Sequence, residues 1–213
     1  MYPLHARLAR VGLAAAASYG FALAGGYALQ AHGFLERISD DVDLFTDITD
    51  PAAFAEAVDR VAAAYRTDGL TVDVEPLGEV FARFAVIDEA GRAAKVEMGC
   101  DWRSHPPVRL DIGPVLHPDD AVANKVTALF GRGAPRDYLD VDAALDSGRY
   151  TPNRLLELAE EHDPGFDRAY FALALQAVDR WPDREYAVYG VNEKQSTHMR
   201  DRLKKWAARI TDA

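Results

Sequence analysis

Two aspartates, Asp41 and Asp43, are spaced so that they could hold a metal ion together. They lie two residues apart in a segment that alternates polar and apolar side chains. Because alternate side chains of a β-strand point to the same face, this spacing predicts that the two carboxylates lie side by side. Carboxylate oxygens are the ligands that Mg²⁺ prefers, and Mn²⁺ accepts the same set. The pair therefore indicates phosphoryl-type transfer, in which metal ions neutralise the leaving pyrophosphate and activate the attacking hydroxyl.

A third metal ligand is expected from Glu97, which lies in a later strand-like segment. Its neighbours Val96 and Met98 are apolar and would face the core, so the Glu97 side chain would face the opposite side. We therefore predict Asp41, Asp43 and Glu97 as the metal ligands. Asp101 is the next candidate for the third position.

A pair of glycines, Gly25 and Gly26, stands between a short apolar run and a short helical pattern. Glycines at a turn from strand to helix let the backbone approach phosphate groups and offer amide donors to them. The pair could also be an ordinary turn. Its position before the two aspartates favours phosphate binding.

The elements that must position these residues divide the chain into two halves. We predict strands at residues 21–24, 42–45, 71–75, 80–88, 92–98 and 108–112, and helices at residues 4–18, 27–32 and 51–67. Helical patterns alone follow Pro118, at residues 119–130, 135–145, 152–161, 167–179 and 193–210. The predicted class is α/β (α+β): a mixed-sheet core domain, residues 1–116, followed by a C-terminal helical bundle, residues 117–213, which we expect to complete the active site.

Composition limits the function classes. The chain has 213 residues, 49% of them hydrophobic, so it can bury a substantial core. A formal net charge of -10 argues against broad, sequence-independent coating of nucleic acid. The single cysteine, Cys100, cannot form an internal disulfide, which favours a reducing, cytoplasmic location. No apolar run is long enough to span a membrane, so we expect no membrane partner.

The N-terminal segment has two interpretations. Arg7 and Arg10 precede an alanine-rich run, which resembles a secretory signal. We favour an amphipathic first helix packed on the domain, because cleavage after Ala24 would leave Gly25 at a free terminus and destroy the glycine motif.

Two stretches of the chain are similar to one known superfamily. The first runs from Leu23 to Leu29 and continues in His32-Gly33 and residues 37–45. The second comprises His117-Pro118, residues 124–129, Arg132 and residues 136–141. Together they resemble polymerase-β-type nucleotidyltransferases, and within these the AbiEii/AbiGii toxin group, which includes the mycobacterial minimal nucleotidyltransferase toxins. The similarity extends from about residue 23 to residue 145.

The resemblance implies a role for each matching residue. It implies that Asp41 and Asp43 are the metal-binding pair, that Lys125 contacts the NTP phosphates, and that Asp137 is a second essential acid. Arg136 and Asp140 belong to the same motif as Asp137. We accordingly expect the nucleotide to be bound by a set drawn from both stretches: Gly25, Gly26, Arg37, Ser39, Lys125 and Arg136. Tyr27 departs from the family, which often has serine or threonine at this step, so the resemblance implies that a hydroxyl contact to phosphate is lost here.

The resemblance also implies the reaction and its partners. The enzyme would transfer a nucleoside monophosphate from an NTP to an RNA acceptor, the 3′ end of tRNA, and release pyrophosphate. It would act as a toxin, with a cognate antitoxin as a partner. Transfer to a small molecule such as an antibiotic, or to a protein, is the alternative within the same class. A non-catalytic nucleotide-binding module is the alternative from another class, against which the intact Asp41, Asp43 and Lys125 argue.

The C-terminal helix has a basic face that could contact RNA phosphates. Its members are Arg200, Arg202, Lys204, Lys205 and Arg209, with Trp206 among them. A solvated face around one core aromatic is the alternative interpretation.

Ser39 suggests a means of control. If the extended backbone reaches back from Asp43 to Ser39, the serine shares a face with both aspartates. A phosphoryl group there would add about -1.5 to -2 charges and repel the NTP. We therefore hypothesise that phosphorylation of Ser39 silences the enzyme. The alternative is that Ser39 caps a turn with Asp40.

Overall fold

The computed structural model describes residues 1–37 and 39–211. It divides into two compact units. The first comprises Met1–His32 and Ile38–His117, and the second comprises Gly33–Arg37 and Pro118–Ala213.

The first unit is built on a mixed seven-stranded sheet. Its strands are β1 (Ala22–Leu23), β2 (Val42–Thr46), β3 (Thr71–Gly78), β4 (Phe81–Ile87), β5 (Ala93–Cys100), β6 (Val108–Leu110) and β7 (Gly113–Val115). They are ordered β3-β4-β5-β2-β1-β7-β6. The pairs β2/β5 and β1/β7 are parallel, and the remaining neighbours are antiparallel. The predicted mixed sheet is therefore confirmed.

Three helices accompany this sheet: α1 (Pro3–Ala15), α2 (Gly25–Ala31) and α3 (Pro51–Thr67). The start of α3 follows from its sequence, because Pro51 takes the first helical position and the Asp50 carboxylate accepts a hydrogen bond of 2.9 Å from the Ala52 amide. The N-terminal segment forms the predicted helix α1, whose buried face includes Leu8 and Leu13.

Helices α1 and α3 meet at a buried tyrosine. The Tyr65 hydroxyl donates a hydrogen bond of 2.9 Å to the Leu8 carbonyl oxygen. Burial raises the pKa of Tyr65, so the phenol stays a neutral donor. Gly12 lies beside this contact: a Cβ at Gly12 would be 2.6 Å from Tyr65 Oη and 2.8 Å from Leu44 Cδ1 on β2. The close approach of α1 to its neighbours therefore requires glycine.

Two features of the sheet differ from the prediction or were not predicted. The strand expected at residues 108–112 is present but ends at Leu110, and a second strand, β7, was missed; β6 and β7 form an antiparallel hairpin. The longer hairpin of β3 and β4 has an irregular register between Pro76 and Gly78. The strand order places β3 at an edge of the sheet.

The second unit is helical. It contains α4 (Pro118–Gly131), α5 (Pro135–Asp146), α6 (Pro152–His162), α7 (Arg168–Gln176), α8 (Asp183–Ala187) and α9 (Glu193–Thr211). Thr151 and Asp167 cap α6 and α7 through hydrogen bonds from Arg154 N and Tyr170 N. The predicted helices are confirmed, but α8 was missed, and α7 gives way to a 3-10 turn at Ala177–Arg180. Across the described residues, no helix combines the length and apolar character that crossing a membrane requires.

We predict that Gly12→Ala lowers the free energy of unfolding by about 1–3 kcal/mol, because the added methyl group overpacks a contact whose tyrosine is held by a hydrogen bond. Urea denaturation of the purified chain measures the change. Gly131→Ala is the matched control, since a Cβ at Gly131 meets no atom within 4 Å. Equal stability of the two variants would contradict the packing argument.

Candidate functional site

The first unit brings the three predicted metal ligands together. Asp43 on β2 and Glu97 on β5 are direct partners in the parallel strand pair. Asp41 lies in the bend immediately before β2. One carboxylate oxygen from each of the three residues lies within 4.8 Å of the others, and all three side chains are half-buried. Val96 and Met98 are fully buried, so Glu97 does face the side opposite to the core.

The glycine pair is fitted closely to this cluster. Helix α2 begins at Gly25, whose φ of +59° lies in the left-handed region. A Cβ on Gly25 would lie 1.7 Å from Asp43 Oδ2. Glycine is therefore the residue that permits both the backbone turn and the approach of the start of α2 to the Asp43 carboxylate.

The carboxylate cluster has a neighbouring cation that the sequence analysis missed. Arg83 on β4 is the strand partner of Glu97, and its Nε and Nη2 donate to Glu97 Oε1 at 2.9 and 2.8 Å. The charge of Arg83 offsets part of the repulsion among the three carboxylates. Strand pairing creates this contact, so the sequence could have revealed it only if the register between β4 and β5 had been predicted.

This donor set fits a hard divalent cation. It supplies three carboxylates whose oxygens converge and remain partly open to solvent. Asp41, Asp43 and Glu97 would hold such an ion, and the bound ion would neutralise charge on substrate phosphates.

Tyr27, where the sequence departs from the family pattern, makes hydrogen bonds within the first unit. Its hydroxyl is 2.6 Å from Nδ1 of the buried His5 on α1 and donates a longer bond of 3.4 Å to the Ser39 carbonyl oxygen. Burial lowers the pKa of His5, although the nearby Asp41 and Asp40 act in the opposite direction. The hydroxyl thus ties α1 to the segment that leads into β2.

Ser39 is less accessible than the phosphorylation hypothesis requires. Its relative exposure is 5%. The backbone bends at Asp40 and Asp41, and β2 begins only at Val42. The extended run from Ser39 to Asp43 that would align the three side chains is therefore absent, and phosphorylation would first require this segment to open.

In the second unit, three predicted residues form a buried charged cluster. Arg37 Nε donates a hydrogen bond to Asp140 Oδ1, and Arg37 Nη2 donates one to Asp140 Oδ2, both at 2.7 Å. Lys125 Nζ lies 3.1 Å from Asp140 Oδ2. Asp140 is fully buried, and the side chains of Arg37 and Lys125 are 7% and 9% exposed. Burial alone would raise the pKa of Asp140, but Lys125 and Arg37 together hold it below its ordinary value.

The Lys125 ammonium has three donor hydrogens. Asp140 is the carboxylate that pairs with Lys125 among the described residues, and it accepts only part of that donor capacity. A nearly buried ammonium with remaining donors is suited to binding an anion such as a phosphate.

Asp137 has an observed structural role. Arg132 donates to both of its carboxylate oxygens at 2.9 and 2.8 Å, and the Ala134 amide donates to Oδ2 at 3.0 Å. Asp137 is completely buried in the first turn of α5, where an acid also interacts favourably with the helix dipole. Its neighbour Arg136 is half-buried. These contacts give Asp137 a structural role at the start of α5, and its catalytic role stays a prediction.

The basic face of α9 is largely neutralised within the second unit. Arg200 pairs with Asp183 at 2.6 Å and Lys204 pairs with Asp179 at 2.9 Å. Arg202 pairs with Asp142 at 2.6 Å, and also with Asp146. These residues link helices of the bundle, so the structure favours the structural interpretation over an RNA-contacting face for them.

We predict that Asp140→Asn lowers the free energy of unfolding by about 3 kcal/mol at pH 7, because it leaves Arg37 and Lys125 buried without their counter-charge. A carboxyl with a depressed folded-state pKa contributes stability that is complete above its unfolded value of about 3.9 and is lost as the pH falls through the folded value. The difference between wild type and variant should therefore shrink below about pH 4. Urea titrations at several pH values measure it, and a constant difference down to pH 2 would contradict the assignment.

Comparisons with known proteins identify the fold and the family. A sequence search finds no match among curated proteins. Solved structures do match. A Helicobacter pylori protein described as a nucleotidyltransferase is 18% identical, with a TM-score of 0.61 over 98% of this chain and 94% of that chain. The nucleotidyltransferase toxin MenT4 from Mycobacterium tuberculosis is 17% identical, with a TM-score of 0.60 over 99% of this chain and 84% of that one. At these identities the likeness shows a shared fold.

The family follows from a comparison with family models. Residues 8–212 match the model described as nucleotidyl transferase AbiEii toxin of the type IV toxin-antitoxin system. This range includes both resembling stretches, the carboxylate cluster and the buried charged cluster. The chain therefore belongs to the AbiEii nucleotidyltransferase toxin family, and it is a nucleotidyltransferase.

Proposed function

We propose that this enzyme uses Mg²⁺ or Mn²⁺ to transfer a nucleoside monophosphate from an NTP to the 3′ end of a tRNA. The observation that carries the proposal is the convergence of the Asp41, Asp43 and Glu97 carboxylates beside the glycine that begins α2. The three carboxylates repel one another, and a divalent cation bound between them would offset that repulsion.

The proposal assigns metal binding to the first unit. Asp41, Asp43 and Glu97 would hold the cation, and Arg83 would keep Glu97 oriented through its two hydrogen bonds. Gly25 and Gly26 would let the backbone approach the phosphates, with amide donors at the start of α2.

The proposal assigns phosphate recognition to Lys125 in the second unit. Asp140 fixes the ammonium in position, and Arg37 in turn holds Asp140 through both oxygens. Arg37 then acts as a positioning residue and does not contact phosphate itself. This modifies the role expected for it from the sequence, while the role of Lys125 is kept.

The toxin family supports the remainder of the proposal. Its description places the family in a type IV toxin-antitoxin system, so we propose a cognate antitoxin as a partner. The ion pairs of α9 leave two exposed bases of the predicted basic face, Lys205 and Arg209, outside these pairs. RNA contact would thus be local, as the net charge of -10 also suggests.

The test is incubation with each of the four labelled NTPs, Mg²⁺ and bulk tRNA, beside the same mixture without RNA. Label appearing on tRNA supports the proposal. Label appearing instead on a small molecule, such as an aminoglycoside supplied in parallel, would favour the alternative acceptor.

We predict that Asp43→Asn reduces transfer at saturating Mg²⁺ at least about 10²-fold, because a bound cation contributes several kcal/mol of transition-state stabilisation. Mn²⁺ binding, followed by electron paramagnetic resonance, should weaken in the same variant. Asp59→Asn is the matched control, since Asp59 is an exposed acid of α3 in the same unit. Undiminished turnover and Mn²⁺ binding in Asp43→Asn would exclude the metal assignment.

We predict that Lys125→Gln lowers kcat/KM for the NTP by about 10²-fold, because a charge-assisted contact to phosphate is lost, and that Lys125→Arg restores activity only in part. Mn²⁺ binding should be unchanged, which separates this effect from loss of the metal site. Lys194→Gln on the first turn of α9 is the control for loss of a lysine charge. An unaltered kcat/KM in Lys125→Gln would mean that the ammonium only neutralises Asp140.

A further inference from the structure

The helical unit contains a pocket that the proposed reaction does not use. Its volume is about 600 Å³, and it lies between the start of α6, the start of α7 and the end of α9. Pockets of this size hold small organic ligands. The lining residues that matter here are Asn153, Leu156, Arg168, Trp206, Arg209 and Ile210.

Trp206 forms part of the pocket wall and has an unmet hydrogen-bonding requirement. Its side chain is 3% exposed, and no acceptor for its Nε1–H is found in the described part of the chain. Trp181 shows the usual arrangement, because its Nε1 donates to the Gly133 carbonyl oxygen at 2.9 Å. The Trp206 ring packs edge-on against Phe171, with ring centroids 5.3 Å apart. A buried indole N–H without an acceptor indicates a missing partner.

The surroundings of Trp206 favour an anionic partner. The first turn of α6 lines the pocket, and the Asn153 amide lies at a position where an α-helix supplies no internal acceptor. Arg209 has no carboxylate partner among the described residues, whereas Arg168 is paired with Glu160 at 2.5 Å. No acidic residue of the described chain lines the pocket. In a protein of net charge -10, such a pocket is electrostatically distinct.

The remaining walls favour an apolar body on that anion. Leu156 is 3% exposed and Ile210 is half-buried, and both line the pocket together with Pro152 and Ala169. Inorganic phosphate alone would leave this apolar surface in contact with water.

We propose that this pocket binds a small amphipathic anion, with a phosphomonoester or carboxylate head that accepts hydrogen bonds from Trp206 Nε1 and Arg209 and an apolar body that covers Leu156 and Ile210. The inference is independent of the nucleotide transfer proposed above, because it uses none of the residues assigned there to metal or NTP binding.

The indole region of a ¹H–¹⁵N correlation spectrum of the full chain tests the proposal directly, because the protein has three tryptophans. Trp206→Phe identifies the Trp206 cross-peak. Phenyl phosphate and benzoate are the probes, inorganic phosphate tests the head alone, and phenol tests the uncharged ring alone. A saturable downfield shift of the Trp206 indole proton with phenyl phosphate or benzoate, with Trp181 and Trp102 unmoved, supports the proposal and identifies the head group.

Two comparisons sharpen the result. Arg209→Gln should weaken binding of the effective probe at least about tenfold, because a charge-assisted hydrogen bond is lost. Arg184→Gln, which removes an exposed arginine of α8 outside the pocket, should bind as the wild type does. An unmoved Trp206 cross-peak with every anion, an equal shift with phenol, or unchanged affinity in Arg209→Gln would overturn the proposal. Inorganic phosphate binding as tightly as phenyl phosphate would overturn its amphipathic part.

Discussion

The contact between the Gly25 backbone and the Asp43 carboxylate constrains the arrangement of the first unit. A Cβ at Gly25 would overlap Asp43 Oδ2, and the backbone turns at Gly25 with a positive φ, so both features require glycine. The sheet holds this contact in place, because the Ala24 amide donates a 2.8 Å hydrogen bond to the Asp43 carbonyl oxygen, and Leu23 pairs with Leu44. The start of α2 and the carboxylate cluster are thus two consequences of one pairing of β1 with β2.

The second unit depends on a different kind of balance. Burying Asp140 without counter-charges would be strongly unfavourable, and Arg37 and Lys125 supply two of them. Such a cluster contributes less to stability than a well-packed apolar group of the same volume often would. Its value lies in orientation: Arg37 occupies both carboxylate oxygens, so Asp140 cannot rotate away from Lys125.

Local sequence patterns predicted the parts of the site that local geometry determines. Asp43 and Glu97 each lie between two apolar residues, which predicts that the apolar side chains face the core and the carboxylates face the other side. This alternation is a property of single strands, and the structure agrees with it, because the apolar neighbours are buried. Contacts between residues that are far apart in the sequence could not be predicted from local patterns. The bond from Arg37 to Asp140 joins residues 103 positions apart, and the bond from Arg83 to Glu97 needs the strand register. The ion pairs of the basic face of α9 could not be predicted for the same reason, since the acids that pair with Arg202 lie on α5.

The edge position of β3 has a consequence for how the protein behaves at high concentration. An open edge strand exposes unpaired backbone groups that can recruit a strand of another molecule and begin aggregation. On β3, Asp73 and Glu75 bring negative charge to this edge, and Pro76 removes a backbone donor. The irregular register between Pro76 and Gly78 also interrupts the straight run that an incoming strand would need. The sheet can therefore end in water at this side without acting as a template for fibril-like growth.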